Sequence, residues 1–276
     1  MTKKGLSLVL FSIFLTFNVF GQENSDLQLH LKKGHKYLTQ LESKLQLHSL
    51  NTEEQLDFNM NMITNTEVHV RKKKKKDFHL EFQIKDFLLD MQMPEDNVYI
   101  NTVTKNHEAP ENLVAVYDKI RNLPMSLSVT HKGDVFNRVN LRESFPEMPQ
   151  KQADQISESI NSFFIPLPEG PIELEDTWEV NSDGGESVSV KLNYKLDKVT
   201  PDFYVISYKG KIESNSTAME IVGDLEGFQR LDKESCFPLE GEMVMYMDMN
   251  MPVVNSDEKI KIVSKLTENF RSRRFK

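Results

Sequence analysis

Residues 187–197 alternate strictly between polar and apolar side chains, and this period of two constrains the fold more than any other feature. One face would carry Val188, Val190, Leu192, Tyr194 and Leu196, and the residues between them are all polar or charged. Successive side chains of a β-strand point to opposite faces, so the pattern predicts a strand with one buried and one solvated face. Such strands belong to antiparallel sheets, because parallel strands are usually buried on both faces.

The same alternation recurs along most of the chain. Three N-terminal strands carry apolar faces that include Tyr37, Phe58 and Phe78, and a tight turn is predicted at Lys132-Gly133-Asp134. Several of these runs exceed the usual ~5–6 residues of a strand. Such long strands with one apolar face are typical of a twisted sheet that curves over an enclosed layer. Further strands are predicted over Met125–His131, Val135–Glu143, Phe203–Ser214, Ala218–Leu231, Glu240–Met251 and Lys259–Phe270.

Two helices interrupt the strands. The first follows Pro110 with apolar residues at helical spacing, and the second is predicted from Gln150 to Phe164, before a proline-rich segment ends it. We therefore predict a mainly β protein of the α+β class. Its long antiparallel strands would form a curved sheet or half-barrel, with the helices packed on it. One two-lobed domain is expected over residues 22–276, with halves at about 22–147 and 165–276 joined by the helix and linker of residues 148–176.

The first 21 residues have the form of a secretory signal peptide. Lys3 and Lys4 precede an uncharged apolar run that ends near Phe20, and small residues stand before a predicted cleavage after Gly21. The run is shorter than the ~20 residues that a membrane-spanning helix needs, so an uncleaved anchor is the less favoured alternative. We expect a periplasmic or secreted protein of a Gram-negative cell envelope, with no transmembrane segment after cleavage.

The charge and the cysteine content exclude two further classes. Removing the two lysines of the leader changes the formal charge from −8 to −10. Nucleic-acid binding is not expected of such an acidic chain, because it requires a basic surface. Cys236 is the single cysteine, so an intramolecular disulfide is impossible and the fold must be held by burial and hydrogen bonds.

Several short motifs carry a resemblance to a known family. Gly34-His35-Lys36-Tyr37 leads into a long strand, Lys132-Gly133-Asp134-Val135 forms a turn, and Phe164-Ile165-Pro166-Leu167-Pro168 precedes Asp176-Thr177-Trp178. Together they resemble an uncharacterised family of exported Gram-negative β-rich proteins, classed as a domain of unknown function. In outline that family is similar to lipoprotein-carrier-like envelope proteins, whose antiparallel half-barrel has helical lids over an apolar groove. The resemblance implies this architecture and supplies no catalytic residue.

Methionine is the residue that the chain uses most unusually. There are 13 methionines, and many alternate along predicted strands. One interpretation is core packing, since flexible thioethers fill irregular gaps. A second is an adaptable groove for a lipid or another apolar ligand. A third is Cu(I) binding by pairs of thioethers on one strand face. The groove interpretation names Met60, Met62, Met91, Met93, Met243, Met245, Met247 and Met249 as the lining.

A run of six basic residues lies between the second and third predicted strands. A solvated hairpin tip is one interpretation, and contact with anionic head groups is another, at ~1 kcal/mol per basic residue near such a surface. The run consists of Arg71, Lys72, Lys73, Lys74, Lys75 and Lys76.

Signatures of catalysis are missing from the sequence. It contains no H-x-H or H-E-x-x-H metal motif, no glycine-rich phosphate loop and no G-x-S-x-G. We therefore expect no enzymatic activity, no resident metal and no cofactor. The candidate functions are apolar-ligand binding, an interaction module with a solid core that binds an envelope protein, and Cu(I) binding.

Overall fold

The structure, a computed structural model, describes residues 24–50, 57–94, 96–144, 160–183, 188–214, 220–252 and 259–275, together with residues 153, 156 and 157. The predicted leader, residues 1–21, lies outside this range, and its cleavage stays a prediction. The described helices are α1 (Glu111–Ile120) and α2 (Leu141–Ser144). The described strands are β1 (Lys36–Ser49), β2 (Asp57–Lys74), β3 (Asp77–Gln92), β4 (Asn97–Asn101), β5 (Asn106–Glu108), β6 (Met125–Thr130), β7 (Val135–Asn137), β8 (Thr177–Asp183), β9 (Val188–Val199), β10 (Phe203–Ser214), β11 (Glu220–Asp232), β12 (Pro238–Pro252) and β13 (Lys259–Phe275).

All described strands belong to one antiparallel sheet. Its order is β5-β4-β3-β2-β1-β13-β12-β11-β10-β9-β8, with β6 paired to β3 and β7 paired to β6. The sheet is curved and is not closed, because no described ladder joins β8 to β5. The predicted fold class is confirmed: a mainly β protein of long antiparallel strands with two described helices. Among the described residues, no helix is long and apolar enough to cross a membrane.

The first and last strands lie side by side in the middle of the sheet. Along the whole of β1, from Lys36 opposite Phe275 to Ser49 opposite Ile262, every residue has a partner on β13. This ladder makes the strands before the linker and the strands after it one continuous surface. A face that begins in the N-terminal half therefore continues without interruption into the C-terminal half.

The prediction of a strand over Val135–Glu143 is wrong beyond Asn137. The main-chain N–H of Val139 donates to Oδ1 of Asn161 (2.9 Å), and that of Leu141 donates to Oγ of Ser157 (3.2 Å). These side chains take the bonds that a neighbouring strand would otherwise provide, and the chain turns into α2. The sequence alternates here as a strand would, because Val139 and Leu141 are both buried in the core.

The helices are placed nearly as predicted. Pro110 stands at the N-cap of α1, as its position before the apolar residues at helical spacing predicts, and the helix ends at Ile120. In the second predicted helix, residues 153, 156, 157, 160 and 161 have helical backbone, whereas Phe163 and Phe164 lie beyond its last turn. The short strands β4 and β5 were not predicted, because five and three residues carry too little alternation to be recognised.

A layer of loop residues, here called the plug, fills one end of the curved sheet. The plug consists of residues 27–31, 160–167 and 232–237. Its first and last parts are joined by the bond from His30 N–H to the Ser235 carbonyl (2.9 Å), and Phe163 and Phe164 of the middle part contact the ring of Phe237. The ring of Phe163 contacts Phe82 of β3 and Phe270 of β13, with centroids 5.9 and 5.7 Å away. Since β2 and β1 lie between those strands, the sheet curls around the plug and its apolar face is the concave one.

Candidate functional site

An unbroken apolar row crosses the concave face from one side of the sheet to the other. Directly paired residues of an antiparallel sheet share a face, so the ladders define the row without ambiguity. It spans ten strands, which at ~4.8 Å per strand is roughly 43 Å of surface. Its members, from β8 to β4, are Val180, Leu192, Gly210, Leu225, Met245, Leu266, Leu45, Met60, Met91 and Val98.

The first group of predicted methionines borders a buried cluster to which α1 also contributes. Met60 lies directly opposite Met91, and these two residues, Met62 and Met93 pack against the cluster of Phe87, Leu89, Val98 and Ile100, as do Leu113 and Tyr117 of α1. The ring of Tyr117 also stacks on Phe87, with centroids 4.4 Å apart. These four methionines are half-buried beside a cluster that includes residues of both the sheet and α1.

The second group lies on the sheet face with no described second layer. Met245, Met247 and Met249 of β12 are half-buried and pack beside Ile212, Ile221 and Leu225. Every described member of this cluster belongs to β9, β10, β11 or β12. Met243 continues the same face toward the plug, opposite Gly227. The contacts of this group are therefore lateral, along one surface.

The half-buried surface continues across the two central strands. Leu45 and Leu47 of β1 and Ile262 and Leu266 of β13 have the same intermediate exposure and lie on the same face. We call the concave face of β9–β13 and β1, from Glu268 to Ile262, the groove. The plug closes it at one end, where Phe270 contacts Phe163, and the strands run on past Ile262 at the other.

A carboxyl group that the sequence prediction missed stands on the floor of the groove. Glu268 lies between Met243 of β12 and Ser43 of β1, and the Ser43 hydroxyl donates to its Oε1 (3.1 Å). Burial among apolar side chains raises the pKa of the Glu268 carboxyl, and the bond from Ser43 opposes this only partly. The signal was present in the sequence, since Glu268 occupies an apolar position in the alternation of β13.

The basic run forms the tip of the β2–β3 hairpin at the plug end of the molecule. All six residues are exposed, and Lys75 turns the chain with a φ of 55°, a conformation that favours glycine. Arg71 donates from Nε to Glu81 (3.1 Å), so its charge is already paired. The structure does not bring Arg71, Lys72, Lys73, Lys74, Lys75 or Lys76 to the groove, and their contact with an anionic surface stays a prediction.

Metal ligands of the usual hard and borderline types do not converge in the described part of the chain: it holds no group of three or more His, Cys, Asp or Glu that could bind a metal ion. Cys236 is buried in the plug, and this burial raises the pKa of its thiol to about 11. The ring of Trp178 stacks on Tyr194, and its Nε1 donates to the Pro166 carbonyl (2.9 Å).

Comparison with known sequences gives one partial match. A family of unknown function, DUF6263, matches residues 148–238, which is about a third of the chain. The match runs from the end of the N-terminal half through β8–β11 to the first residue of β12. No curated protein matches the chain.

Comparison with solved structures shows a similar fold. A structure of lipovitellin, described by its lipid–protein interactions, aligns with a TM-score of 0.57 and 9% identity over 88% of this chain and 25% of that chain. This protein therefore spans about a quarter of the lipovitellin chain that it matches. An outer-membrane channel from Pseudomonas putida F1 and the translocator domain of the autotransporter NalP from Neisseria meningitidis align with TM-scores of only 0.21 and 0.23, at 9% identity each. Their alignments cover 90% and 96% of this chain, and 98% and 95% of those chains.

Proposed function

We propose that this protein is a non-enzymatic component of the cell envelope that binds a lipid or another apolar ligand in the groove. The observation that carries the proposal is the apolar row, which continues over β9–β13 and β1 with half-buried side chains on a single surface. Covering a Leu or Met side chain completely is worth about 1.5–3 kcal/mol relative to leaving it exposed. Contiguous apolar surface of this kind usually marks a ligand or interaction site.

The chemistry of the lining supports an adaptable site. Methionine has three rotatable bonds and a polarizable sulfur, so it fits ligands of several shapes. Met245, Met247 and Met249 follow one another along β12 in a cluster whose described members all lie on the sheet, whereas Met60, Met62, Met91 and Met93 border a cluster to which α1 also contributes. We therefore propose that the β12 group lines the groove and that the β2–β3 group has a packing role.

The fold likeness agrees with this proposal. Lipovitellin, whose solved structure concerns lipid–protein interactions, shares the curved-sheet architecture at a TM-score of 0.57. A likeness at 9% identity shows a similar fold only. The ligand proposal therefore depends on the groove of this chain and not on what lipovitellin binds.

Co-purification tests the proposal directly. The protein is purified from its native host without detergent, and bound molecules are extracted and identified by lipid mass spectrometry. A stoichiometric lipid or other apolar compound is expected. Protein that carries none, and that also fails to bind the apolar fluorophore N-phenyl-naphthylamine, would contradict the proposal.

A matched pair of substitutions places the ligand on one face of the sheet. Met247→Asp puts a charge into the groove, and Tyr246→Asp puts the same charge on the opposite face at the next residue, where Tyr246 is exposed. We expect Met247→Asp to lower the bound lipid at least about tenfold and Tyr246→Asp to leave it unchanged, because a charge is costly only in an apolar environment. Circular dichroism confirms that both variants are folded.

A further inference from the structure

Glu268 is the one carboxyl group that the described groove contains, and its position is unusual. Along β13 it stands between Leu266 and Phe270, and across the sheet between Met243 and Ser43. Phe270 contacts Phe163 of the plug. Glu268 is therefore the residue of β13 on the same face that lies next to the closed end of the groove. An apolar molecule that lies along the groove toward the plug, from the end at Ile262, meets this carboxyl last.

The surroundings satisfy Glu268 incompletely. Ser43 donates one hydrogen bond to Oε1, whereas a carboxylate can accept about four. Within the described residues, no Lys, Arg or His forms an ion pair with Glu268, although many carboxylates on the convex face are paired with lysines. An unpaired carboxylate in an apolar environment is costly, and burial accordingly raises its pKa.

A second polar group on the same strand is also unsatisfied. Ser264 is 5% exposed, and its hydroxyl has no hydrogen-bond partner among the described residues. It faces the groove between Met247 of β12 and Leu47 of β1. Ser264 and Glu268 are four residues apart, or roughly 13 Å along the strand, with Leu266 between them. β13 thus presents two polar points in an otherwise apolar channel.

We propose that Glu268 receives the head of a single-chain amphiphile that carries a hydrogen-bond donor, most favourably an ammonium group, while the chain of the ligand lies along the groove. The inference rests on the proposed function and names the chemical class of its ligand. A donor at Glu268 supplies the bonds that the protein does not, and a cation also compensates the charge. A carboxylate or phosphate head is disfavoured there, because it would place like charges together.

The dimensions of the groove fit this orientation. The groove runs six residue positions from Glu268 to Ile262, a length of roughly 20 Å in a strand. Half of a bilayer's ~30 Å hydrocarbon core, about 15 Å, is the depth that the acyl chains of one leaflet fill. A chain of that length, with its head at Glu268, passes Leu266 and Ser264 and lies within the methionine-lined part of the groove.

Three probes with the same alkyl chain test the inference. Dodecylamine, dodecanol and dodecanoate are titrated into the full protein by isothermal titration calorimetry, at neutral pH and below their critical micelle concentrations. We expect dodecylamine to bind at least about tenfold more tightly than dodecanol, because a charge-assisted bond exceeds a neutral one. Dodecanoate is expected to bind the weakest.

Glu268→Gln and Glu242→Gln form a matched pair of variants. Both replace a carboxylate by an amide, but Glu242 is exposed on the convex face next to Met243. Glu268→Gln is expected to bring dodecylamine and dodecanol to within about threefold of each other and to preserve dodecanol binding, which also shows that the groove is intact. Glu242→Gln should keep the preference of the unmodified protein, so that the overall acidity of the chain is excluded as its cause.

The outcomes separate the inference from the proposed function. If the three probes bind equally, or if the preference for dodecylamine survives in Glu268→Gln, the inference is overturned and the groove remains a ligand site. If none of the probes binds the unmodified protein, both are overturned.

Discussion

The ring of Tyr37 lies flat on the ring of Phe237, with centroids 3.6 Å apart and 10° between the planes. Tyr37 begins β1, whereas Phe237 ends the turn between β11 and β12, and β13 separates β1 from β12 in the sheet. Both side chains are almost fully buried. This contact therefore joins the strand at the centre of the sheet to the plug at its closed end.

Removing the Phe237 ring should destabilise the whole protein. Phe237→Ala leaves a cavity beneath Tyr37 and beside Phe163 and Phe164, and deletions of this size cost about 3–5 kcal/mol. The free energy of unfolding is measured by denaturant titration followed by circular dichroism. Phe136→Ala is the control, because Phe136 is 54% exposed and its loss should change stability by no more than about 0.5 kcal/mol. Equal effects of the two substitutions would contradict the assigned role of the plug.

A buried lysine in the turn between β6 and β7 fastens the N-terminal segment, which includes the first part of the plug. The side chain of Lys132 is 6% exposed, and Nζ donates to Oδ1 of Asp26 and to the Leu27 carbonyl, both at 3.1 Å. Lys132→Met keeps the aliphatic stem and removes both bonds, so we expect a loss of about 1–3 kcal/mol.

Native-state hydrogen exchange localises this effect. In Lys132→Met the amides of residues 25–31 should exchange faster, while those of β10 keep their protection until global unfolding. The control is Lys33→Met, which changes an exposed lysine of the neighbouring segment and should leave both stability and exchange unchanged. Unaltered exchange at residues 25–31 in Lys132→Met would show that the two bonds do not hold the segment.

Gly227 allows Tyr208 to lie across the sheet. A Cβ at Gly227 would stand 2.2 Å from the Glu242 carbonyl oxygen and 2.7 Å from the Tyr208 ring, so Gly227→Ala forces backbone and ring to move. Such overpacking costs about 1–3 kcal/mol, measured as the free energy of unfolding. Gly170→Ala is the matched control, because no atom lies within 4 Å of its added Cβ. If both alanine variants were equally stable, the close approach at Gly227 would be excluded.

Strand positions were predictable because the period of two follows directly from the pleat of the backbone. The prediction of Phe203–Ser214 coincides with β10, the apolar face assigned to β3 is buried, and on β9 the predicted face is buried at Tyr194 and Leu196. The pairing of β1 with β13 was not predictable, because its partners lie more than 200 residues apart and no local pattern specifies which strands meet. Likewise, the alternation beyond Asn137 did not show that side chains, and not a neighbouring strand, would accept the main-chain hydrogen bonds there.

The face that carries the proposed groove was predictable from the alternation, whereas the shape of that face was not. Alternation placed Met243, Met245, Met247 and Met249 on one face, which the ladders with β11 and β13 bear out. Whether a face becomes core or groove depends on what packs over it, and only the fold shows that residues of α1 join the cluster beside the β2–β3 methionines. Glu268 was not predicted, although the sequence shows a charged residue at an apolar position of the alternation in β13. Burying a charge costs free energy, so such a residue usually has a partner or a function.

The single thiol reports on the integrity of the plug. Cys236 is 3% exposed, and burial raises the pKa of its thiol from 9.0 to about 11. At about pH 8 this shift alone lowers the thiolate fraction roughly a hundredfold, and burial blocks access as well. We expect the folded protein to react with an aromatic disulfide reagent at least about a hundredfold more slowly than the denaturant-unfolded chain, followed by absorbance.

The raised pKa of the Cys236 thiol also makes the stability of the fold depend on pH. Because the folded thiol holds its proton more tightly than the unfolded one, its contribution is complete below pH 9.0 and is lost as the pH rises toward about 11. Tyr37, whose pKa burial raises to about 12, acts in the same direction from its ordinary value of 10.0. The midpoint of thermal unfolding should therefore fall between pH 9 and 11, and Cys236→Ala should reduce the part of that fall that begins below pH 10. A thiol that reacts rapidly in the folded protein, or an unfolding midpoint that is flat over this range, would show that Cys236 is open to solvent.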